Sequence, residues 1–364
     1  MILHLYFIRK FMIWFGLVFT VFFGIVLLVD LVEQIRRYDG DTVGLRQAAV
    51  LALLNTPANL YRILPLMVIL STLGLFLGLA RTSEMVVTRA SGRSALRSLA
   101  APITAAFALG AIAVIVWNPI VAGTSRQYEN ITDRLRQGAD SVLSISREGL
   151  WLRQGRIGEQ TVIHARRATL EGTELFQTTF VGFDADGAPV FRIEALQAEL
   201  TPGAWLLRDA KLWRFDQPNP EITAQSFERY ELPSNLTRDE IREGFGTPSV
   251  IPIWELPEFI RRLERAGFSA TQHKIWFWME LATPLMLVAM VLIAAGFTMR
   301  HTRFGRTGMM VLSALLLGFG VFFLKNFAQI LGENGQIPIQ LAAWSPPLAG
   351  ILLSLGLLLH TEDG

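Results

Sequence analysis

The sequence predicts an integral membrane protein with six transmembrane α-helices and an inserted all-β, jellyroll-like domain. Hydrophobic residues make up 51% of the 364 residues and charged residues only 18%, which is unusual for a soluble domain. The charges are concentrated in residues 118–274, which carry 19 basic and 22 acidic side chains. This central segment therefore has the composition of a soluble domain. The flanking segments, 1–117 and 275–364, have that of membrane helices.

Six uncharged apolar runs have the length that a membrane span requires. A helix needs about 20 predominantly apolar residues to cross a hydrocarbon core of roughly 30 Å. A helix that is apolar on every face for that length is typical of a membrane span. The runs are 18 or 19 residues long and cover 11–29, 63–80, 99–117, 281–299, 307–324 and 341–359.

The basic residues of the short loops predict the orientation of the chain. Lys and Arg in such loops concentrate on the cytoplasmic side. The loops on one side hold Arg9, Lys10, Arg81, Arg89, Arg93, Arg97, Arg300, Arg303 and Arg306. Those on the other side hold only Arg36, Arg37, Arg46 and Arg62, diluted by acidic residues. We therefore expect both termini in the cytoplasm and residues 118–274 outside, which in a bacterium is the periplasm.

The central segment is predicted to form β-structure. Short alternating runs occupy 149–153, 161–164, 176–183, 190–193, 205–215 and 222–230, with turn signals at 184–187 and 201–203. Strands at this spacing, without intervening helices, indicate a sandwich, a jelly roll or an open barrel. Residues 256–266 have helical spacing and are predicted to lead the chain back to the bilayer.

Several kinds of chemistry are missing from the sequence. No lysine follows a glycine, so the chain has no P-loop for binding nucleotide phosphates. The five histidines lie far apart, cysteine is absent, and no G-x-S-x-G motif occurs, so neither a metal site nor a hydrolase is indicated. The nearly balanced charge gives no concentrated basic face for nucleic acid. We expect no metal and no cofactor in this chain.

The loop between the second and third spans contains a candidate cytoplasmic helix over residues 83–92. Ser83 suits its N-cap, Glu84 its first turn and Gly92 its end. Either its arginines anchor the loop at the membrane, or the helix docks into a cytoplasmic motor subunit. The spacing alone leaves both possibilities open.

Charged residues also mark the membrane spans. Glu280 and Lys325 lie inside spans, where charges are costly and are usually paired or functional. They form a structural pair, or Lys325 faces a cavity that holds an anionic lipid headgroup. Arg36 and Arg37 follow the first span at headgroup height, where forked guanidinium donors hold phosphates or anchor the helix.

Small residues recur at four-residue intervals in two spans. Gly16, Thr20 and Gly24 form one such stripe, and Gly74 and Gly78 form another. These stripes allow helices to approach closely. The sequence does not tell whether the approaching helix belongs to this chain.

At the level of motifs, the chain resembles the lipopolysaccharide export permease family, the LptF/LptG pair. The resemblance covers essentially the whole chain. Its most specific stretches are Val29-Asp30 with the basic pair Arg36-Arg37, Ser83-Glu84-Met85-Val86-Val87 with Ala90-Ser91-Gly92, and Pro338 with Ala342-Ala343-Trp344-Ser345-Pro346. The second of these stretches is more similar to the LptG type than to the LptF type.

The resemblance implies a set of partners. Two related permeases, one LptF-type and one LptG-type, form a heterodimer on a dimeric cytoplasmic ATPase of the LptB type, which binds ATP and Mg. The complex extracts lipopolysaccharide from the inner membrane and passes it through the β domains to LptC and a periplasmic bridge protein. Residue by residue, the resemblance assigns the ATPase-coupling acid to Glu84 and lipid phosphate contacts to Arg36 and Arg37. One departure is Met279-Glu280 ahead of Pro284, where we expect a basic residue.

Two other classes of function compete with ATP-driven export. An ion-coupled secondary transporter could use Glu280 and Lys325, but such proteins usually carry internal repeats and broken helices. A membrane-anchored adaptor would need one span rather than six. Within the export family, the sister LptF-type permease is the alternative.

Overall fold

The protein is described here by a computed structural model. It describes residues 2–37, 44–84, 95–135, 143–146, 149–156, 159–168, 173–184, 186–216, 219–234, 236, 247–265, 269–299 and 307–362. Tertiary contacts divide the chain into two units. The membrane unit comprises Met1–Tyr128, Ile251–Ile253 and Lys274–Gly364, and the β unit comprises Glu129–Val250 and Trp254–His273.

Within the described residues, six helices are long and apolar enough to cross a membrane, which confirms the predicted number of spans. Each extends beyond its uncharged run, because polar and charged residues continue the helix past the apolar centre. The third span consists of α3, a π-helical turn (Ala113–Trp117) and α4. The helices are α1 (Ile2–Arg37), α2 (Leu45–Arg81), α3 (Ala95–Ile112), α4 (Asn118–Leu135), α6 (Thr271–Thr298), α7 (Thr307–Glu333) and α8 (Ile339–Glu362).

The fourth span, α6, forms the centre of the membrane unit. In its most apolar stretch 78% of the residues are buried, against none in that of α1. Leu287, Met290 and Ile293 of α6 are buried in the main apolar cluster together with Phe76 of α2. The first helix, α1, packs on α2 and α3 and leaves a broad apolar face uncovered.

The two small-residue stripes have different surroundings. A Cβ atom added at Gly74 would lie 2.6 Å from Cε3 of Trp14, so this stripe of α2 accommodates a side chain of α1 in the same chain. A Cβ atom added at Gly16 or Gly24 would meet nothing within 4 Å. The stripe of α1 is therefore open within the part of the chain that the structure describes.

The described part of the β unit forms one antiparallel sheet, which confirms the predicted all-β insertion. Its described strands follow one another in sequence order. They are β1 (Leu143–Ser146), β2 (Gly149–Arg156), β3 (Glu159–Ala168), β4 (Glu174–Phe183), β5 (Pro189–Thr201), β6 (Ala204–Arg214) and β7 (Gln225–Pro233). Both predicted turns are present: Gly187 has a φ of 80° and Gly203 a φ of 89°, which glycine adopts readily.

One face of the sheet carries the core of the β unit. Trp205 on β6 is fully buried, and its ring lies 6.1 Å from that of Phe180 on β4. The Trp205 indole N–H donates to Oε1 of Gln154 on β2 at 3.0 Å. The Ser234 hydroxyl donates to the same oxygen at 2.7 Å. The one polar atom of the buried indole is thereby satisfied.

Some boundaries differ from the sequence prediction. Strand β1 was missed because it spans only four residues, and β5 is longer than 190–193 because residues after Ile193 keep alternating. The break expected at 117/118 falls inside the third helix, since helical structure continues to Leu135 after the apolar run ends. The return helix, predicted over 256–266, is α5 (Leu256–Arg265), with Leu256, Ile260 and Leu263 buried along one face.

Candidate functional site

The basic pair lies in the last turn of α1. The side chains of Arg36 and Arg37 are both exposed. Nη1 of Arg37 donates to the Tyr128 hydroxyl at 3.4 Å, and the buried Gln34 amide donates to the same oxygen at 3.1 Å. These contacts hold the end of α1 against the third helix and fix the position of the Arg37 side chain.

One turn and a half before this pair, a buried carboxylate fastens α1 to α2. Asp30 accepts hydrogen bonds from Nδ2 of Asn55 at 3.1 Å and from Nδ2 of Asn59 at 2.9 and 3.2 Å. Only 8% of Asp30 is exposed. The two amide donors satisfy the carboxylate of Asp30. Without them, burying this acid in apolar surroundings would be costly in free energy. Sequence analysis missed both asparagines.

The direct partner of Glu280 is a tyrosine. The buried carboxylate of Glu280 on α6 accepts a hydrogen bond from the Tyr61 hydroxyl on α2. The Asn118 side chain lies near both of these groups and interacts with them electrostatically. The Oδ1 atom of Asn118 in turn accepts the Ile253 backbone N–H at 3.0 Å. The cluster therefore joins α2, the third helix, α6 and the segment Ile251–Ile253 within the membrane unit.

The π-helical turn positions two members of this cluster. Asn118 directly follows the turn, and Trp117 is its last residue. The Trp117 ring lies 5.9 Å from the Tyr61 ring and 5.5 Å from the Phe19 ring. Single π-turns within α-helices are frequent at functional sites. Here the turn directs a polar and an aromatic side chain toward the same tyrosine.

Lys325 on α7 is half-buried. It interacts electrostatically with Glu280 and with Arg62, but among the described residues Lys325 and Glu280 do not approach within the 4.0 Å of an ion pair. The predicted Glu280–Lys325 pair is thus a through-space attraction in the structure. The two roles considered for Lys325, as a structural partner of Glu280 and as a contact in a lipid path, both stay predictions.

The candidate coupling acid lies just beyond α2. Glu84 accepts hydrogen bonds from Nζ of Lys10 at 2.7 and 2.8 Å, from the Tyr6 hydroxyl at 2.8 Å and from the Thr82 hydroxyl at 2.8 Å. Residues 85–92 of the predicted cytoplasmic helix, including Gly92, lie outside the described residues. Ser83 has a φ of 57°, whereas an N-cap residue usually has an extended backbone.

The environment of Glu84 favours its ionised form. Partial burial alone would raise the pKa of this carboxyl, but the hydrogen bonds from Lys10, Tyr6 and Thr82 outweigh burial and lower the pKa below its ordinary value. The carboxylate is therefore charged at neutral pH. The ionic contact between Glu84 and the Lys10 ammonium is lost only when the pH falls below the usual carboxyl range and the carboxylate takes up a proton.

These side chains offer ionic and hydrogen-bond contacts to a bound group. Within the described part of the chain, no group of three or more His, Asp or Glu side chains could hold a metal ion. Sequence analysis identified the charged residues but missed the partners Tyr6, Tyr61 and Asn118. The sequence signal that could have identified these partners is their position, as polar side chains near the ends of apolar runs.

The chain is similar to known proteins over nearly its whole length. The family model described as "Lipopolysaccharide export system permease LptF/LptG" matches residues 5–360. The chain is 24% identical over 345 residues to the lipopolysaccharide export system permease protein LptG of Haemophilus influenzae, with 93% of each protein covered. It is 25% identical over 332 residues to the LptG protein of Escherichia coli K12, covering 91% of this chain and 87% of that protein.

The family match includes all six membrane helices and the inserted sheet, not the helices alone. The matched residues also include all three sequence stretches that carry the resemblance. The chain belongs to the lipopolysaccharide export system permease family LptF/LptG.

Proposed function

We propose that this chain is the LptG-type permease subunit of an ATP-driven lipopolysaccharide exporter. In this role it extracts the lipid from the inner membrane and passes it to a periplasmic bridge toward the outer membrane. The observation that carries the proposal is the family match over six membrane helices and an inserted sheet. The LptG names of the relatives favour this type over the sister LptF-type permease.

The proposed lipid contacts begin at the end of α1. Arg36 and Arg37 are exposed there, and guanidinium groups offer forked donors that match phosphate oxygens. One apolar face of α1, with Leu17, Val21 and Ile25, is exposed within the chain, so a lipid could lie along it. Lys325 is the third proposed contact, and the β domain would receive the lipid on the periplasmic side.

The proposed energy source is a partner chain. The sequence contains no P-loop, and ATP and Mg would bind to an LptB-type ATPase dimer on the cytoplasmic side. Glu84 is proposed to couple that ATPase to the membrane helices. The other proposed partners are an LptF-type permease, LptC and the periplasmic bridge protein. Both termini would face the cytoplasm, as the loop charges predict.

The second candidate is an ion-coupled transporter, which the family match does not favour. The buried carboxylate of Glu280 accepts a hydrogen bond from a tyrosine hydroxyl and is attracted through space by Lys325, and such groups mark proton paths in some membrane proteins. Secondary transporters usually bind their ions at helices broken near midplane, whereas α6 is continuous through Glu280. Lipid release that follows an ion gradient rather than ATP would favour this candidate.

The coupling role of Glu84 is tested with Glu84→Ala. Loss of a charge-assisted hydrogen bond removes about 1.5–3 kcal/mol, so we expect lower ATPase recovery or hydrolysis without lipid release. The measurements are the amount of ATPase that co-purifies and the lipid released per ATP in proteoliposomes. The control is Glu228→Ala, since Glu228 is an exposed acid on β7. Normal ATPase recovery together with normal lipid release in Glu84→Ala would contradict the proposed coupling.

A further inference from the structure

Three side chains outside the candidate lipid site converge on Glu84. Tyr6 and Lys10 lie four residues apart on α1, and residues at this spacing share one face of a helix. Both reach the Glu84 carboxylate, at 2.7–2.8 Å. The Lys10 ammonium also lies 4.9 Å from the centre of the Tyr6 ring. The start of α1 thus presents a preformed cationic and phenolic receptor for one acid.

The backbone next to Glu84 brings the acid to this receptor. Helix α2 ends at Arg81, and Ser83 adopts a φ of 57°, a conformation that is uncommon for residues other than glycine. The Thr82 hydroxyl donates to Oε1 of Glu84 at 2.8 Å. Among the described residues, Tyr6, Lys10 and Thr82 make four donor contacts with the two carboxylate oxygens. The Glu84 carboxylate is therefore held by Tyr6 and Lys10 of α1 and by Thr82, which precedes it in the chain.

A second polar contact fastens the same two helices at their opposite ends. Asp30 of α1 accepts from Asn55 and Asn59 of α2. Between Lys10 and Asp30 the first helix is continuous and contains no proline. At 1.5 Å per residue, Lys10 and Arg36 lie roughly 39 Å apart along it. Helix α1 is therefore a continuous helix that is fastened near both of its ends, to α2 through Asp30 and to Glu84 through Lys10.

We propose that Tyr6 and Lys10 are positioning residues that fasten Glu84 to α1, so that force applied at the loop after α2 reaches the end of α1. Glu84 then acts by holding α1, and the displacement arrives at Arg36 and Arg37. The inference rests on the proposed function, because it assumes an ATPase that drives lipid release. It assigns to Tyr6 and Lys10 a part in coupling.

The test compares four variants in the complete complex with its ATPase. Lys10→Met should leave ATPase recovery and ATP hydrolysis unchanged and reduce lipid released per ATP about tenfold, the effect of one charge-assisted contact. Tyr6→Phe should reduce it less, because the neutral Tyr6 hydroxyl supplies one contact to Glu84, whereas the Lys10 ammonium supplies two contacts and a charge. Lys10→Arg should restore release, since it keeps the charge and the donors. Arg9→Met removes the neighbouring exposed charge and should release lipid normally.

A merely structural role of Lys10 predicts a different result. In that case the yield and thermal stability of the Lys10→Met complex fall, while the surviving complex releases a normal amount of lipid per ATP. That outcome would overturn the inference, as would an equal loss in Arg9→Met. Absence of ATP-dependent release by the unmodified complex would instead contradict the proposed function, so the two failures are distinguishable.

Discussion

Replacing Lys325 by Met is expected to destabilise the membrane unit severely. Glu280 is buried, with 5% of the residue exposed, and Lys325 is the cation that attracts it. Removing one partner of a buried contacting pair typically costs about 3–5 kcal/mol, and because Lys325 attracts Glu280 without contacting it, we expect a cost toward the lower end of that range. The remaining carboxylate would have to take up a proton or stay uncompensated. We expect low yield of folded Lys325→Met and a lower unfolding temperature in detergent.

The double variant Lys325→Met/Glu280→Met is expected to be milder than Lys325→Met alone, because it leaves no buried charge from this pair. Folded yield and lipid-stimulated ATPase activity should be measured separately. Recovery of both in the double variant indicates a structural pair, whereas recovery of yield alone places Lys325 in the lipid path. Additive losses from the two single changes would contradict any coupling between the residues.

Tyr61→Phe completes the comparison, since it removes the direct hydrogen-bond donor to Glu280 without changing the packing of the ring. Its cost should be about 1.5–3 kcal/mol, the contribution of a hydrogen bond to a charged group. The same change should cost little in a Glu280→Met background. An equal cost in both backgrounds would mean that the tyrosine hydroxyl does not serve this acid.

The second large effect is expected in the β unit. Trp205→Ala should destabilise the sheet by about 3–5 kcal/mol, because it leaves a large cavity in the core. It also leaves Gln154 without one of its partners. The measurement is thermal unfolding of the full chain followed by near-ultraviolet circular dichroism, with proteolysis of the β unit as a second probe.

The control for this change is Trp151→Ala. Trp151 lies on β2, is 40% exposed and contacts the His164 ring at 4.4 Å. Its removal creates no enclosed cavity and should shift the unfolding temperature only slightly. Similar losses in Trp151→Ala and Trp205→Ala would show that the sheet has no core centred on Trp205.

The number of spans could be predicted because an uncharged run of sufficient length has few structural alternatives. As a member of the permease family, the chain is a multi-pass inner-membrane transport subunit, which agrees with that prediction. Helix ends could not be predicted in the same way. The third helix continues through Asn118 to Leu135 although most residues of this stretch are polar, since polar residues also form good helices.

The charged residues of the site could be identified from the sequence, but their partners could not. Glu84 and Lys10 are 74 positions apart, and Tyr61 and Glu280 are 219 apart. Contacts at such separations depend on how helices pack, and local periodicity carries no information about them. The expectation of a direct Glu280–Lys325 contact shows the difficulty, because a neutral hydroxyl on another helix is the direct partner.

The central claim is that this chain binds lipopolysaccharide beside its first helix, and photocrosslinking tests it most directly. A photoreactive residue at position 36 or 37, in place of Arg36 or Arg37, should capture the lipid in native membranes. The adduct should decrease when ATP is supplied to the complete complex. Leu352, an exposed residue of α8, reports contact with bulk lipid, and Tyr230 of β7 reports lipid at the β domain. Absence of adducts at both arginine positions, with adducts at Tyr230, would contradict the claim.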